Sequence, residues 1–137
     1  MLLPSSHVLL VEDDPKVAEV LAGLLQDDNI RLTDAHDATE ALTKARENTF
    51  DLILLDLHLP DIPGWEVLAH LKATKETRDI PTIVLSADAT TGQIERLLAA
   101  GARAYITKPL DVDQFLNLLE QTNDDLNRAN ECALANS

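Results

Sequence analysis

The chain has 137 residues and a formal net charge of -13, since 24 acidic residues stand against only 11 lysines and arginines. Apolar residues make up 45% and charged residues 26%, a globular composition that predicts a single domain and excludes disorder as its main character. The negative charge argues against direct binding to nucleic acid or to an anionic membrane surface, and no apolar run reaches the roughly 20 residues of a membrane span.

Short apolar runs alternate with longer segments of helical periodicity along the chain. The first run covers residues 7–11, and apolar residues at helical spacing follow from Pro15 to Leu25. Four further runs, each followed by a segment of helical spacing, cover residues 29–35, 52–55, 82–85 and 104–107. The fourth of the five predicted helices stops near Gly101.

Five strand–helix pairs predict an α/β fold, a five-stranded parallel sheet with helices on both faces. The strands are apolar on both faces, as a sheet covered on both sides requires. The doubly wound, flavodoxin-like order 2-1-3-4-5 is the natural five-strand arrangement. It has right-handed crossovers and a ligand crevice at the carboxyl ends of strands 1 and 3.

The domain is predicted to span residues 7–121, with an N-terminal extension over residues 1–6. Residues 122–137 are polar and are interpreted either as a helical extension or as the stub of a linker. The chain has a single cysteine, Cys132, which excludes an intramolecular disulfide, and its first residues lack a signal-peptide pattern. These features predict a cytoplasmic protein.

Polar residues stand at the carboxyl ends of four predicted strands. Glu12 and Asp13 follow the first strand, Asp56 the third, Ser86 the fourth and Lys108 the fifth. Because the carboxyl ends of parallel strands lie on one edge of the sheet, these side chains are expected to converge on one crevice.

The expected cluster indicates metal and phosphoryl chemistry. Glu12, Asp13 and Asp56 would repel one another in a crevice, and Mg²⁺, which prefers hard oxygen ligands, would relieve that repulsion. A carboxylate can also attack phosphorus and form an aspartyl phosphate. Lys108 would then neutralise charge on the phosphoryl oxygens, and the hydroxyl of Ser86 would hydrogen-bond one of them.

Four motifs that contain these residues resemble the receiver domain of two-component response regulators. The resemblance covers roughly residues 6–121, and the motifs are VLLVEDDP (8–15), DLILLDLHLPDIPGWEVL (51–68), PTIVLSAD (81–88) and GARAYITKPL (101–110). The stretch from residue 64 to residue 90 is similar to receivers attached to hybrid histidine kinases. The chain is therefore expected to be either a stand-alone receiver or a receiver from a larger protein.

The resemblance implies a role for each residue of the cluster. Asp56 is the implied phosphoacceptor. Glu12 and Asp13 are the implied acidic pair around Mg²⁺, with Asp56 and the main-chain carbonyl of His58 as further ligands. Lys108 occupies the position of the family's lysine, which acts at the phosphoryl group.

The resemblance also implies a switch and a set of partners. Phosphorylation by a histidine kinase or a phosphotransfer protein would draw Ser86 toward the phosphoryl group, and Tyr105 would follow inward. The face made by helix 4, strand 5 and helix 5 would change, and it would bind a downstream protein or a second copy of the chain. The chain would act in a phosphorelay and catalyse only its own phosphorylation and dephosphorylation.

Three other functions stay open from the residues alone. A flavodoxin-like mononucleotide binder would need a hydroxyl- and glycine-rich loop where Glu12, Asp13 and Asp14 stand. A phosphohydrolase acting through an aspartyl phosphate usually has a second Asp two residues after the nucleophile, where His58 stands. A receiver-like interaction module that takes no phosphate would not need the full set of site residues.

Several residues have structural interpretations. Asp14 and Pro15 are a good helix start, with Asp as the cap and Pro in the first helical position. Trp65 is expected to pack at the start of the third helix, near Asp56. The histidines show no metal-ligand spacing and are assigned surface or capping roles: His7, His36, His58 and His70.

Overall fold

The computed structural model of the chain describes residues 6–25, 30–87, 90–108 and 111–121. The predicted N-terminal extension, apart from Ser6, and the predicted C-terminal segment 122–137 lie outside the described residues. Among the helices of the described residues, none has the length and apolar character needed to cross a membrane.

Strands and helices alternate along the described chain. The strands are β1 (Ser6–Val11), β2 (Ile30–Ala35), β3 (Leu52–Asp56), β4 (Thr82–Ser86) and β5 (Ala104–Thr107). The first four helices are α1 (Pro15–Leu24), α2 (Ala38–Glu47), α3 (Gly64–Ala73) and α4 (Thr91–Ala99). Residues 112–121 are also helical and are named α5.

The five strands form one parallel sheet in the order β2-β1-β3-β4-β5. This order confirms the predicted fold class and topology. Val8 pairs with Leu52 and Ile53 pairs with Thr82, so β3 lies between β1 and β4. The carboxyl ends of all five strands share one edge of the sheet, called here the carboxyl edge, and the opposite edge is called the amino edge.

An apolar layer covers each face of the sheet. Leu9 and Val11 point into the layer beneath α2, α3 and α4, whereas Val8 and Leu10 point into the layer beneath α1 and α5. Every residue of β3 and β4 is buried, which explains why these strands are apolar at consecutive positions. Burial of each large apolar side chain contributes roughly 1.5–3 kcal/mol to the free energy of folding. The two apolar layers therefore stabilise the sheet and fix the positions of the strand ends.

At their carboxyl ends, β3 and β4 each extend one residue beyond the predicted apolar runs. Asp56 is the last residue of β3 and pairs with Leu85, and Ser86 is the last residue of β4 and pairs with Thr107. Both polar residues are therefore fixed by the ladder of the sheet. The helix that precedes β5 ends close to its predicted position, because Gly101 adopts a φ of 115°, which favours glycine.

Candidate functional site

The turn between β1 and α1 fixes the first acidic residues. The N–H of Glu12 donates to the Ala35 carbonyl of β2 at 3.0 Å, which extends the strand ladder by one residue. Glu12 Oε1 accepts a hydrogen bond from the Asp14 N–H at 3.2 Å. Asp14 in turn accepts the Lys16 N–H at 2.9 Å, with Pro15 in the first turn, so Asp14 caps α1 as predicted.

Three carboxylates meet at the carboxyl edge. One oxygen from each of Glu12, Asp13 and Asp56 lies within 4.8 Å of the other two. Glu12 and Asp56 are each 1% exposed, whereas Asp13 is exposed to solvent. Hard oxygen ligands at this spacing fit a divalent cation, because its charge offsets the repulsion that burial strengthens.

Lys108 joins this cluster from the end of β5. Its Nζ lies 3.1 Å from Glu12 Oε2 and 3.3 Å from Asp56 Oδ1. The Lys108 N–H donates to the Ser86 carbonyl at 2.8 Å, which holds the end of β5 against β4. The structure thus brings together the three acidic residues and the lysine that the strand pattern predicted to converge.

The crowded charges shift the pKa values of Glu12 and Lys108. Burial, together with the neighbouring Asp56 carboxyl, raises the pKa of Glu12 to about 7. Burial acts to lower the pKa of Lys108, but attraction to Asp56 and Glu12 outweighs it and raises that pKa. Near neutral pH a cation that binds the cluster therefore competes with a proton on Glu12.

The loop after Asp56, residues 57–63, is anchored at both ends. The Leu57 N–H donates to a carbonyl of β4 at 3.1 Å, and the His58 N–H donates to Asp56 Oδ1 at 3.2 Å. The Gly64 N–H closes the loop by donating to the Leu57 carbonyl at 2.9 Å. A Cβ at Gly64 would lie 2.4 Å from the Leu57 Cα, so this closure requires glycine.

The two predicted switch residues lie on adjacent strands. Ser86 is fully buried at the end of β4, on the carboxyl edge with the acidic cluster. Tyr105 pairs with Val84, one residue pair further from that edge than Leu85, and packs against the layer beneath α2, α3 and α4. Ser86 therefore lies at the same edge of the sheet as the cluster, and Tyr105 lies two residue pairs further from that edge.

Trp65 has a different environment from the one predicted. It lies in the first turn of α3, but 55% of its surface is exposed. Its indole borders a groove of about 460 Å³ together with Arg96 and Leu97 of α4. Trp65 is therefore not a core residue, and its exposed indole is a fluorescence probe close to the loop after Asp56.

No sequence pattern pointed to Asp61, which lies in the same loop and caps α2. Its carboxylate accepts the N–H groups of Ala38 at 2.8 Å and Thr39 at 3.0 Å. A capping residue normally lies just before its helix, whereas Asp61 follows Ala38 by 23 residues. Only the tertiary fold reveals this contact.

Comparison with known proteins identifies close similarities in sequence. The family model for the response regulator receiver domain matches residues 8–120. The polar-differentiation response regulator DivK of Brucella ovis is 36% identical over 116 residues, which cover 85% of this chain and 94% of that protein. DivK of Brucella anthropi is 36% identical over 118 residues, which cover 86% of this chain and 95% of that protein.

Solved structures share the fold. The receiver domain of a sensor histidine kinase from Pseudomonas aeruginosa PAO1, with a magnesium ion coordinated in its active site cleft, is 30% identical with a TM-score of 0.78. The match covers 87% of this chain and 98% of that chain. A CheY-like receiver domain protein from Methanospirillum hungatei JF-1 is 27% identical with a TM-score of 0.82, over 90% of this chain and 98% of that chain.

Proposed function

We propose that Asp56 is the phosphoacceptor of this chain, which belongs to the response regulator receiver domain family. Receiver domains act in two-component signalling, where the phosphoryl group comes from a histidine kinase or a phosphotransfer protein. The chain is accordingly a signalling phosphoacceptor and not a classical enzyme. Its own contribution to catalysis is limited to its phosphorylation and dephosphorylation.

The observation that carries the assignment is the setting of the Asp56 carboxylate. It ends β3 at the carboxyl edge, is almost fully buried, and lies 3.3 Å from the Lys108 ammonium. Burial of a carboxylate is costly unless it is paired or serves a ligand. The exposed Asp13 leaves the outer side of the cluster accessible to a donor.

The reaction follows from this setting. An oxygen of Asp56 attacks the phosphorus of the donor phosphohistidine, a P–O bond forms, and the P–N bond to the imidazole breaks. The bonding electrons leave with the imidazole, which takes a proton from solvent. Lys108 stabilises the negative charge on the transferred phosphoryl group. Ser86, at the end of β4 beside β3, donates a hydrogen bond to an oxygen of that group.

The acidic cluster fits a divalent cation, and we assign it to Mg²⁺. Asp13 and Asp56 would be ligands, with Glu12 beside them and the main-chain carbonyl of His58 as a further oxygen. When bound, Mg²⁺ supplies positive charge to the phosphoryl oxygens. Glu12 must be ionised to support this site, so its proton is released when the cation binds.

Phosphorylation would be transmitted to partners through the surface next to β5. Ser86 and Tyr105 would move toward the phosphoryl group and change the face formed by α4, β5 and α5. Leu98 on α4 and Val112 on α5 are large apolar side chains that each remain 43% exposed, which supports this face as a surface for a downstream protein or a second copy. We place the receiver unit at residues 7–121 and the protein in the cytoplasm, where its donors act.

The proposal is tested by intact-mass analysis after incubation with acetyl phosphate, with and without Mg²⁺. We expect one phosphate adduct that requires Mg²⁺ and is absent from Asp56→Asn. Asp51→Asn is the matched control, because Asp51 precedes β3 at the opposite, amino edge, where its carboxylate accepts the His7 N–H at 2.8 Å. This control should form the adduct as wild type does.

A second measurement covers an adduct that hydrolyses too quickly to be seen. Beryllofluoride with Mg²⁺ should change Trp65 fluorescence in wild type and not in Asp56→Asn. The absence of both the adduct and the beryllofluoride response would overturn the proposal. The chain would then be a receiver-like interaction module that takes no phosphate.

A further inference from the structure

Asp61 links two parts of the molecule that are distant in sequence. Its Oδ1 accepts the Ala38 N–H at 2.8 Å, and its Oδ2 accepts the Thr39 N–H at 3.0 Å and the Thr39 hydroxyl at 2.8 Å. Oδ1 also accepts the N–H of Ile62, its neighbour in the loop, at 2.9 Å. One exposed carboxylate therefore fastens the loop of residues 57–63 to the first turn of α2.

Helix α2 already has a cap of its own. Asp37 precedes the helix, and its side chain accepts the Glu40 N–H at 2.8 Å. Asp61 and Asp37 thus share the free N–H groups of the first turn, which normally a single capping residue and water would satisfy. Because Asp37 already caps α2, we expect the second cap, from Asp61, to matter mainly for the loop in which Asp61 lies.

The loop has few other means of fixing its middle. Its ends are tied to β4 and to Gly64, but Pro60 and Pro63 have no N–H to donate. Leu59 and Ile62 are partly buried against the apolar layer, which orients side chains and leaves the backbone to be fixed by hydrogen bonds. His58, three residues before Asp61, donates its N–H to Asp56 Oδ1 at 3.2 Å, and its carbonyl lies on the side of the residue that leads to Asp61.

The negative charge of Asp61 strengthens its hydrogen bonds to the first turn of α2. The N–H of Ala38 and the other donors hold the pKa of Asp61 well below its usual range. The carboxylate also lies at the positive end of the α2 dipole. Asp61 therefore stays ionised at neutral pH, and the attachment does not open by protonation there.

We infer that Asp61 is a positioning residue that fixes the loop of residues 57–63 to α2 and so holds the His58 backbone in place for Mg²⁺. The inference rests on the proposed function, in which the His58 carbonyl is a ligand of the cation. Partners that orient metal ligands without touching the metal typically change affinity by 10–100-fold when they are removed. Asp61 would act in this way through the backbone.

The test compares Asp61→Ala with Asp37→Ala, since both remove a cap from the same helix and only the first releases the loop. Isothermal titration calorimetry with Mg²⁺ should give a dissociation constant raised roughly tenfold for Asp61→Ala and changed less than about twofold for Asp37→Ala. Asp61→Asn, which keeps one acceptor oxygen, should lie between wild type and Asp61→Ala. Thermal denaturation should show comparable destabilisation of the two alanine variants.

A second readout needs no metal. Amide hydrogen exchange in residues 57–64 of the metal-free protein should accelerate in Asp61→Ala and stay at the wild-type rate in Asp37→Ala. Equal Mg²⁺ affinities of the two alanine variants, or unchanged exchange in Asp61→Ala, would overturn the inference and leave the proposed function intact. A wild-type chain that binds no Mg²⁺ would instead overturn the proposed metal site and the inference with it.

Discussion

The amino edge and the carboxyl edge of the sheet accommodate their polar side chains in opposite ways. At the amino edge, His7 Nε2 lies 2.6 Å from the Thr33 hydroxyl, and Nδ1 lies 3.0 Å from the Thr49 carbonyl oxygen. The His7 N–H donates to the Asp51 carboxylate at 2.8 Å, and the imidazole packs against Phe50 with ring centroids 4.2 Å apart. Both nitrogens of the imidazole lie next to uncharged oxygen atoms, and the Asp51 carboxylate accepts a backbone N–H. The polar side chains named here therefore each have a hydrogen-bond partner.

At the carboxyl edge, three carboxylates lie together, and two of them share one ammonium group. Glu12 and Asp56 are buried next to each other, and Lys108 contacts both. The amino edge also carries a carboxylate, Asp51, but the charged side chains that are buried among the described residues, Glu12 and Asp56, both lie at the carboxyl edge. The comparison shows that polar groups stabilise the fold at one edge of the sheet, whereas the other edge retains a repulsion that a cation would relieve.

Packing around the site sets the largest expected change in stability. Gly64→Ala should lower the free energy of unfolding by about 3 kcal/mol, because the new Cβ would lie 2.4 Å from the Leu57 Cα and 2.7 Å from the Asp56 carbonyl oxygen. Urea denaturation measures the loss. Gly23→Ala in α1 is the control: its Cβ meets nothing within 4 Å, and it should gain up to roughly 1 kcal/mol. Equal effects of the two variants would contradict the expected clash.

The amino edge should affect stability without affecting the site. His7→Ala removes the partner of Thr33 and the contact with Phe50, and should cost about 2 kcal/mol of unfolding free energy. Its Mg²⁺ affinity by calorimetry should stay within about twofold of wild type. His70→Ala, an exposed histidine of α3, should change stability by less than about 0.5 kcal/mol. A Mg²⁺ defect in His7→Ala would show that the two edges are coupled.

Removing the repulsion between Glu12 and Asp56 at the carboxyl edge should raise the free energy of unfolding. The pKa of Glu12 is about 7 in the folded chain against an ordinary 4.5, so the folded chain binds more protons than the unfolded chain between these values. Wild-type stability attributable to Glu12 therefore falls as the pH rises from 4.5 to 7. Glu12→Gln should be more stable than wild type by about 1–2 kcal/mol above pH 7 and equal to it below pH 4.5.

Thermal denaturation of the metal-free proteins across this pH range checks the sign. Glu120→Gln, an exposed residue of α5, is the control and should follow wild type at every pH. Protonation of Glu12 should also lower the Mg²⁺ affinity of the wild-type protein as the pH falls below 7. A Glu12→Gln variant that is less stable than wild type at pH 8 would show that the pair with Lys108 outweighs burial.

The smallest change in stability is expected at Asp13. It is exposed, so Asp13→Ala should alter the free energy of unfolding by less than about 0.5 kcal/mol. The same substitution should weaken Mg²⁺ binding by at least roughly tenfold, because it removes an oxygen of the cluster. Asp79→Ala, exposed in the turn between α3 and β4, should leave both quantities at their wild-type values.

The strands were predictable because each carries its own apolar signal, and their order is the natural arrangement of five strand–helix pairs. The continuous apolar residues of β3 and β4 match a sheet covered on both faces, and the structure has that sheet in the predicted order. The convergence of Glu12, Asp56 and Lys108 follows from the same topology, because polar residues at parallel strand ends share one edge. The roles assigned to these residues stay predictions until the phosphorylation and Mg²⁺ experiments are done.

The contacts that could not be predicted join segments without a periodic pattern. Asp61 lies between two prolines in a loop, and nothing in the sequence indicates that it caps a helix 23 residues earlier. His7 was assigned a surface or capping role, yet its imidazole lies among Thr33, Thr49 and Phe50, which come from separate elements. Trp65 is expected to pack, but 55% of its surface is exposed. Each outcome depends on tertiary geometry.

The contact between Lys108 and Glu12 also sets when the site first exists during translation. These residues are 96 positions apart in sequence, and β5 is the last of the described strands to leave the ribosome. A nascent chain carries both buried carboxylates before it carries their cationic partner, and the central strands pair only across long sequence separations. A chain released before β5 is made would therefore hold Glu12 and Asp56 without the ammonium group that contacts both of them.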